Sequence, residues 1–232
     1  MTACPCCGSN QFGFSPVLWP DLIREWRLAD YEAAYVDRQQ GYRCKACHCS
    51  LRAMNLAKAI IACLNFRGLL RDLVKARQFR SLKVLEVNDA GELNHFLRLL
   101  PGHVLAQYPE VDMTALPYAN DSFDLIVHSD TLEHVLGPIA GLGECRRTLK
   151  PGAFCCFTIP IIVDRFTVSR EGLPPSYHGT SSEKKNDYLV HTEYGCDAWK
   201  QIIQAGFEEC RIFSAEYPVA LALVGVKARG VA

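Results

Sequence analysis

Three short apolar runs constrain this chain more than any other feature: LKVLEV at 82–87, SFDLIVHS at 122–129 and AFCCFTIP at 153–160. Runs of that length, rich in β-branched residues, suit strands covered on both faces, as in a parallel sheet. Between them GELNHFLRLL (91–100) reads as a helix and GHVLAQY (102–108) as a further strand. Another helix runs to about Leu149, and Pro151-Gly152 stops it. DAWKQIIQAGF is a helix ending at Gly206, and FEECRIFS and VALALVGVKA read as two closing strands. Strands alternating with helices predict an α/β fold, a doubly wound and mostly parallel sheet. Residues 53–79 place apolar side chains at helical spacing and end in basic ones, which predicts a helix joining this domain to the part before it.

Cysteine shapes that earlier part. Six of the twelve cysteines stand in two clusters, Cys4, Cys6, Cys7 and Cys44, Cys47, Cys49. The pairs Cys4-x-x-Cys7 and Cys44-x-x-Cys47 each offer two thiolates from one tight turn, and two such turns close a tetrahedral zinc shell. Cys6, His48 and Cys49 compete for places in it. Four thiolates leave no open coordination position, so the expected metal is structural. The domain reading is a zinc-ribbon module at 1–52, a connecting helix at 53–80 and a sheet domain at 81–232. The other six cysteines, Cys155 and Cys156 among them, lie in apolar segments and are expected in the core.

No charged stretch followed by an apolar run opens the sequence, and nothing approaches the roughly 18 apolar residues that span a bilayer. The expectation is a cytoplasmic protein with no membrane association, in which clustered cysteines serve as ligands rather than disulfides. Basic and acidic side chains balance at 25 each. That neutrality, with no basic aromatic patch, argues against a nucleic-acid partner and for a small molecule. Nothing in the sequence sets an oligomeric state.

The stretch DMTALPYANDSFDLIVHSDTLEHV at 112–135, followed by ECRRTLKPGA at 144–153, links an acid, Leu-Pro, Ser-Phe-Asp and Leu-Glu-His. The pattern resembles the class I S-adenosylmethionine-dependent methyltransferases, specifically the type 11-like group with a Leu-Glu-His motif, over about residues 80–226. The resemblance implies a Rossmann-like sheet with S-adenosylmethionine at the carboxyl ends of its strands. It places Glu86 beside the loop that approaches the methionine part of the cofactor. Asp112 would face the adenine amino group and Glu110 the ribose hydroxyls. Ser129 and Asp130 would face the same cleft, with His134 pointing toward cofactor or substrate. A zinc ribbon ahead of such a domain resembles some bacterial small-molecule and ribosomal RNA methyltransferases.

Two departures from the family pattern stand out. The family's glycine loop reads E-x-G-x-G-x-G, and here it reads Glu86-Val-Asn88-Asp-Ala90-Gly91-Glu92. Asn88 tolerates left-handed geometry, and Gly91 can supply the turn in a shifted register. Glu92 suits a helix N-terminus but adds negative charge near the carboxylate end of the cofactor. The span from Glu86 to Asp112 is also about half the family's usual length, so HVLAQY merges directly into the Asp112 segment.

Residues 161–192 are polar and rich in glycine and proline, and read as a lid over the cleft. They contain His178 and His191, each able to act as a general base. His95 and His103 read as structural or exposed. The leading function is a methyltransferase acting on a small-molecule acceptor. The alternatives are a catalytically silent methyltransferase-like binding module, favoured by the replaced glycines, and an RNA methyltransferase, which the zinc ribbon permits.

Overall fold

The three apolar runs stand side by side in the computed structural model, which describes residues 1–177 and 188–230. The chain opens with strand β1 (Phe12–Phe14), helices α1 (Pro20–Glu25) and α2 (Asp30–Gly41), and strand β2 (Tyr42–Cys44), which pairs antiparallel with β1. Helices α3 (Leu51–Cys63) and α4 (Leu70–Leu73) follow. The sheet region then runs β3 (Lys83–Val87), α5 (Asn94–Leu97), β4 (Gly102–Ala106), β5 (Phe123–Ser129), α6 (Pro138–Thr148) and β6 (Leu149–Thr158). After it come β7 (Ile161–Ile162), β8 (Val168–Ser169), β9 (Thr192–Gly195), α7 (Trp199–Gln204), β10 (Glu209–Ala215) and β11 (Ala220–Val226).

Six strands form the central sheet in the order β10-β11-β6-β5-β3-β4. The four strands β4, β3, β5 and β6 are parallel, and the hairpin β10-β11 adds antiparallel to β6. The absence of polar alternation in the apolar runs has its cause here. Successive residues enter two different cores: Leu85, Ile126 and Cys155 pack with α6 and α7, and Val84, Leu125 and Cys156 with α3 and α4. Cys145, Cys155 and Cys156 are buried as expected. The expectation of six core cysteines needs correcting for the others, since Cys196 is exposed and Cys63 and Cys210 are half-buried.

The predicted helix at 53–79 is three pieces: α3, α4 and a 3-10 turn at Arg77–Phe79. Helix α3 starts on Ser50, whose hydroxyl accepts from the Ala53 amide at 3.2 Å. It lies on β6, β10 and β11, with Met54, Ala57 and Ile60 fully buried. Its Asn55 amide donates to the carbonyls of Phe213 and Ala220, at 2.9 and 3.1 Å, and so ties the helix to the closing hairpin.

Helices α1 and α2 are inserted between β1 and β2. Leu22, Trp26, Tyr35 and Val36 from this insertion join the core of the central sheet. The segment expected as an irregular lid is also partly ordered. Strands β7 and β8 both pair with β9, and Ile161, Ile162 and Val163 are buried. Insertion and segment are fastened together. Trp26 Nε1 donates to Ser176 Oγ at 2.9 Å, the Val163 amide donates to the Tyr35 hydroxyl at 3.1 Å, and the Arg165 guanidinium holds the Glu32 carboxylate.

Candidate active site

In the sheet order, β4 lies on one side of β3 and β5 on the other, so the chain reverses direction across the sheet between them. A crevice opens at the carboxyl ends of strands at such a switch point. Here the crevice is a cavity of about 1220 Å³. Its floor is the strand ends: Asn88 and Asp89 after β3, Tyr108, Val111 and Asp112 after β4, and Asp130 and Thr131 after β5. One wall is the 3-10 turn Leu132–His134 with Val135 and Leu136, and His191 lies on the same side. The other wall is the insertion, through Leu18, Trp19, Leu22, Trp26 and Val36.

The loop after β3 keeps its tight turn without the usual glycines. Asn88 sits at φ 55° and Gly91 at φ 62°, both left-handed. Asparagine reaches that region at modest cost and glycine at none. The Asn88 amide donates to the Ala106 carbonyl at 2.7 Å, and its Oδ1 accepts from the Tyr108 amide at 3.0 Å, so this one residue fixes the ends of β3 and β4 to each other. Glu92 meets the Arg43 guanidinium beside β2, which offsets its charge.

Five of the residues singled out from sequence line the cavity: Asn88, Asp112, Asp130, His134 and His191. Asp112 caps the next turn, accepting from the Thr114 amide and hydroxyl, each at 2.7 Å. Four others do not line it. Glu86 is fully buried behind the loop, where its carboxylate accepts from the Ala90 amide (2.8 Å), Asn94 Nδ2 (2.9 Å) and His103 Nε2 (2.6 Å). A carboxylate with three donors from its own chain organises the loop beside which the sequence reading placed it. Ser129 Oγ pairs with Thr158 Oγ1 at 2.8 Å, between β5 and β6. Gly91 and Glu110 are exposed outside the lining. His178 lies outside the described residues. Sequence reasoning missed Asp89, Tyr108, Trp19 and Trp26. The spacing Trp19, Leu22, Trp26 was a helical-face signal for the last two.

The histidines have defined settings. His134 Nδ1 lies 3.0 Å from the Leu189 carbonyl. A carbonyl only accepts, so Nδ1 donates, and Nε2 lies 3.8 Å from Glu133 Oε1. The His191 amide donates to the Glu133 carbonyl at 2.8 Å. Burial, and then the neighbouring His134 charge, push the His191 pKa below its ordinary value. Asp130, at φ 50°, faces the buried Arg52 guanidinium, which also donates to Gln39 Oε1 at 3.0 Å. None of the described residues lining the cavity is lysine or arginine.

The cysteine knuckles stand apart from the cavity. The sulfurs of Cys4, Cys7, Cys44 and Cys47 all lie within 4.8 Å of one another, the quartet expected from the paired CxxC spacing. Cys4 and Cys47, and Cys7 and Cys44, are 3.6 Å apart. Four zinc–sulfur bonds of about 2.3 Å in a tetrahedron put sulfurs about 3.8 Å apart. The donor set fits a metal of that size and preference. Cys6 and Cys49 are buried beside it, outside the quartet.

Comparison with known proteins agrees with the resemblance drawn from the sequence. Residues 71–157 match the family model described as a methyltransferase domain. That stretch holds β3, β4, β5 and β6 and every loop that floors the cavity. A demethylmenaquinone methyltransferase of Clavibacter sepedonicus is 39% identical over 115 residues, 47% of this chain and 46% of the relative. The chain thus spans about half the length of the curated relative it matches. Among solved structures, a candidate methyltransferase of Bacillus halodurans is 23% identical, covering 61% of this chain and 70% of its own at a TM-score of 0.37. The carbon methyltransferase of CurJ is 14% identical, covering 86% of this chain and 58% of its own at a TM-score of 0.48.

Proposed function

We propose that this chain is an S-adenosylmethionine-dependent methyltransferase acting on a small-molecule acceptor. One observation carries the reading: the strand ends of the matched methyltransferase domain open into a single cavity with Asn88 and Asp112 on the sheet side and two histidines opposite. The cavity exceeds the roughly 300–1,000 Å³ typical of one small-molecule site, so it has room for cofactor and acceptor together. When bound, the cofactor supplies an electrophilic methyl carbon on a cationic sulfur. Asp89 and Asp112 line the same cavity and suit that cation, while Asp130 is paired with Arg52.

The remaining chemistry belongs to the chain. The backbone at Asn88 would let the cofactor approach the sheet edge, and Asp112 would accept a hydrogen bond from its adenine amino group. Were the methyl group transferred, with the cofactor leaving as S-adenosylhomocysteine, the proton of the acceptor atom would pass to His191 or His134. A depressed pKa keeps His191 neutral near pH 7, the state a base needs. Alignment within the closed cavity contributes much of the remaining rate. Zinc in the thiolate quartet is structural in this reading, and a reducing, cytoplasmic setting would keep the ligands available.

The acidic lining, with no lysine or arginine among the described residues, suits a neutral or cationic acceptor better than a nucleic-acid backbone. Calorimetry with S-adenosylhomocysteine tests the proposal. The expected result is saturable one-to-one binding, weakened about tenfold by Asp112→Ala. Absence of binding would remove both cofactor and reaction. Binding without turnover on any acceptor would favour a silent binding module.

A further inference from the structure

The inserted helices between the two cysteine knuckles are unexplained by cofactor binding. Leu18, Trp19, Leu22 and Trp26 from this insertion line the cavity together with the strand ends. Ile162 and Leu136 extend the same apolar surface. The titratable groups of the lining lie on the strand ends and the histidine wall, and the insertion adds none from α1. The cavity therefore has a polar floor and an apolar wall.

We propose that the insertion is the acceptor wall, and that it selects an acceptor with an uncharged, ring-bearing apolar body and one polar atom presented to the histidines. The inference rests on the methyltransferase reading for the identity of the second ligand, and on the cavity alone for its chemistry. Two tryptophans on one side of a pocket supply large, flat contact area that matches an aromatic ring. A charged body of either sign would lose its hydration against Trp19 and Leu22, because the insertion adds neither a cation nor a carboxylate to the lining. The wall is held in place. Trp26 is fastened to Ser176, Tyr35 to Val163 and Glu32 to Arg165, and the ends of the insertion continue into β1 and β2, which lead to the thiolate quartet. Trp19 is the specificity-determining residue best placed to test, because it is half-buried and has no partner role in the fastening.

The test titrates 2-naphthol, an aromatic body with one hydroxyl, into the full chain by fluorescence, with and without saturating S-adenosylhomocysteine. Saturable naphthol binding is expected in both conditions. Trp19→Ala should weaken it by about tenfold or more, Trp19→Phe should recover most of it, and homocysteine-ligand affinity should stay within about twofold in both variants. Unchanged melting temperatures establish that the variants are folded. Several outcomes would overturn the proposal: no saturable naphthol binding by the parent, naphthol binding indifferent to Trp19, displacement of naphthol by the cofactor product, or equal loss of both ligands in Trp19→Ala. Naphthol binding that depends on Trp19 in a protein that never binds S-adenosylhomocysteine would keep the apolar site and sink the methyltransferase reading instead.

Discussion

Glu86 shows how a residue type can be legible while its work is not. An acid at the end of the first strand was visible in the sequence. Its partner His103 comes from the neighbouring strand and satisfies the same carboxylate that holds the Ala90 amide. Such a pairing depends on register between β3 and β4, which no local pattern carries. Glu86→Ala orphans buried donors and should cost about 2 kcal/mol or more in chemical denaturation. A loss below about 0.5 kcal/mol would mean the loop is held some other way. Asn88, by contrast, was readable, since asparagine is one of few residues that enter left-handed backbone cheaply. His128 was hidden in a strand motif. It is fully buried, stacks on Phe157 at 4.5 Å, and burial pulls its pKa down to about 3. Below the unfolded value of about 6.5 the unfolded chain binds a proton that the folded chain refuses, so stability falls with acid by about 1.4 kcal/mol per pH unit down to about pH 3. His128→Phe removes that contribution. Its stability should exceed the parent's increasingly from pH 6.5 to pH 4, and parallel curves would contradict the burial argument. For His191 the depressed pKa predicts that the acid limb of the pH–rate profile lies below about 6.5, the ordinary histidine value. His191→Ala should lower turnover about 100-fold while sparing cofactor affinity. An equal rate in that variant would leave alignment as the whole of catalysis.

The sheet strands were the easiest elements to read, because residues covered on both faces leave an unbroken apolar run. The insertion was the hardest. Helix α1 spans only Pro20–Glu25, so its helical-face signal rests on Trp19, Leu22 and Trp26 alone, and it lies inside what reads as a metal module. The segment after β6 misled in the opposite sense. Its polar composition suggested a loop throughout, yet β7 and β8 find their pairing partner in β9, beyond residue 190. The thiolate quartet was legible as two paired CxxC turns, because that spacing is local, though the sequence left Cys6, His48 and Cys49 as competitors. Its consequence for the cleft was not, because that runs through β1, β2 and the helices between them. Metal analysis should find about one zinc per chain. Chelation or Cys47→Ser should release it and expose residues 16–41 to protease, while the β3-to-β6 core stays protected. Equal protection with and without metal would detach the knuckles from the wall.

At the scale of the whole molecule, two structures outside the central sheet, the insertion and the β7–β9 segment, line a cavity floored by the ends of β3, β4 and β5. No helix among the described residues is long and apolar enough to cross a membrane. The α/β class and the location of the crevice follow from strand order, which the alternation of apolar runs and helices already implied. The volume and two-sided chemistry of the cavity did not, because they arise where segments distant in sequence meet. The central claim is that one cavity holds the cofactor on the sheet side and leaves apolar room beyond it. A crystal structure with S-adenosylhomocysteine tests this most directly. The account predicts the ligand against Asn88 and Asp112, with open space toward Trp19 and Leu22. Ligand filling the tryptophan wall, or a cavity left empty at saturating ligand, would contradict it.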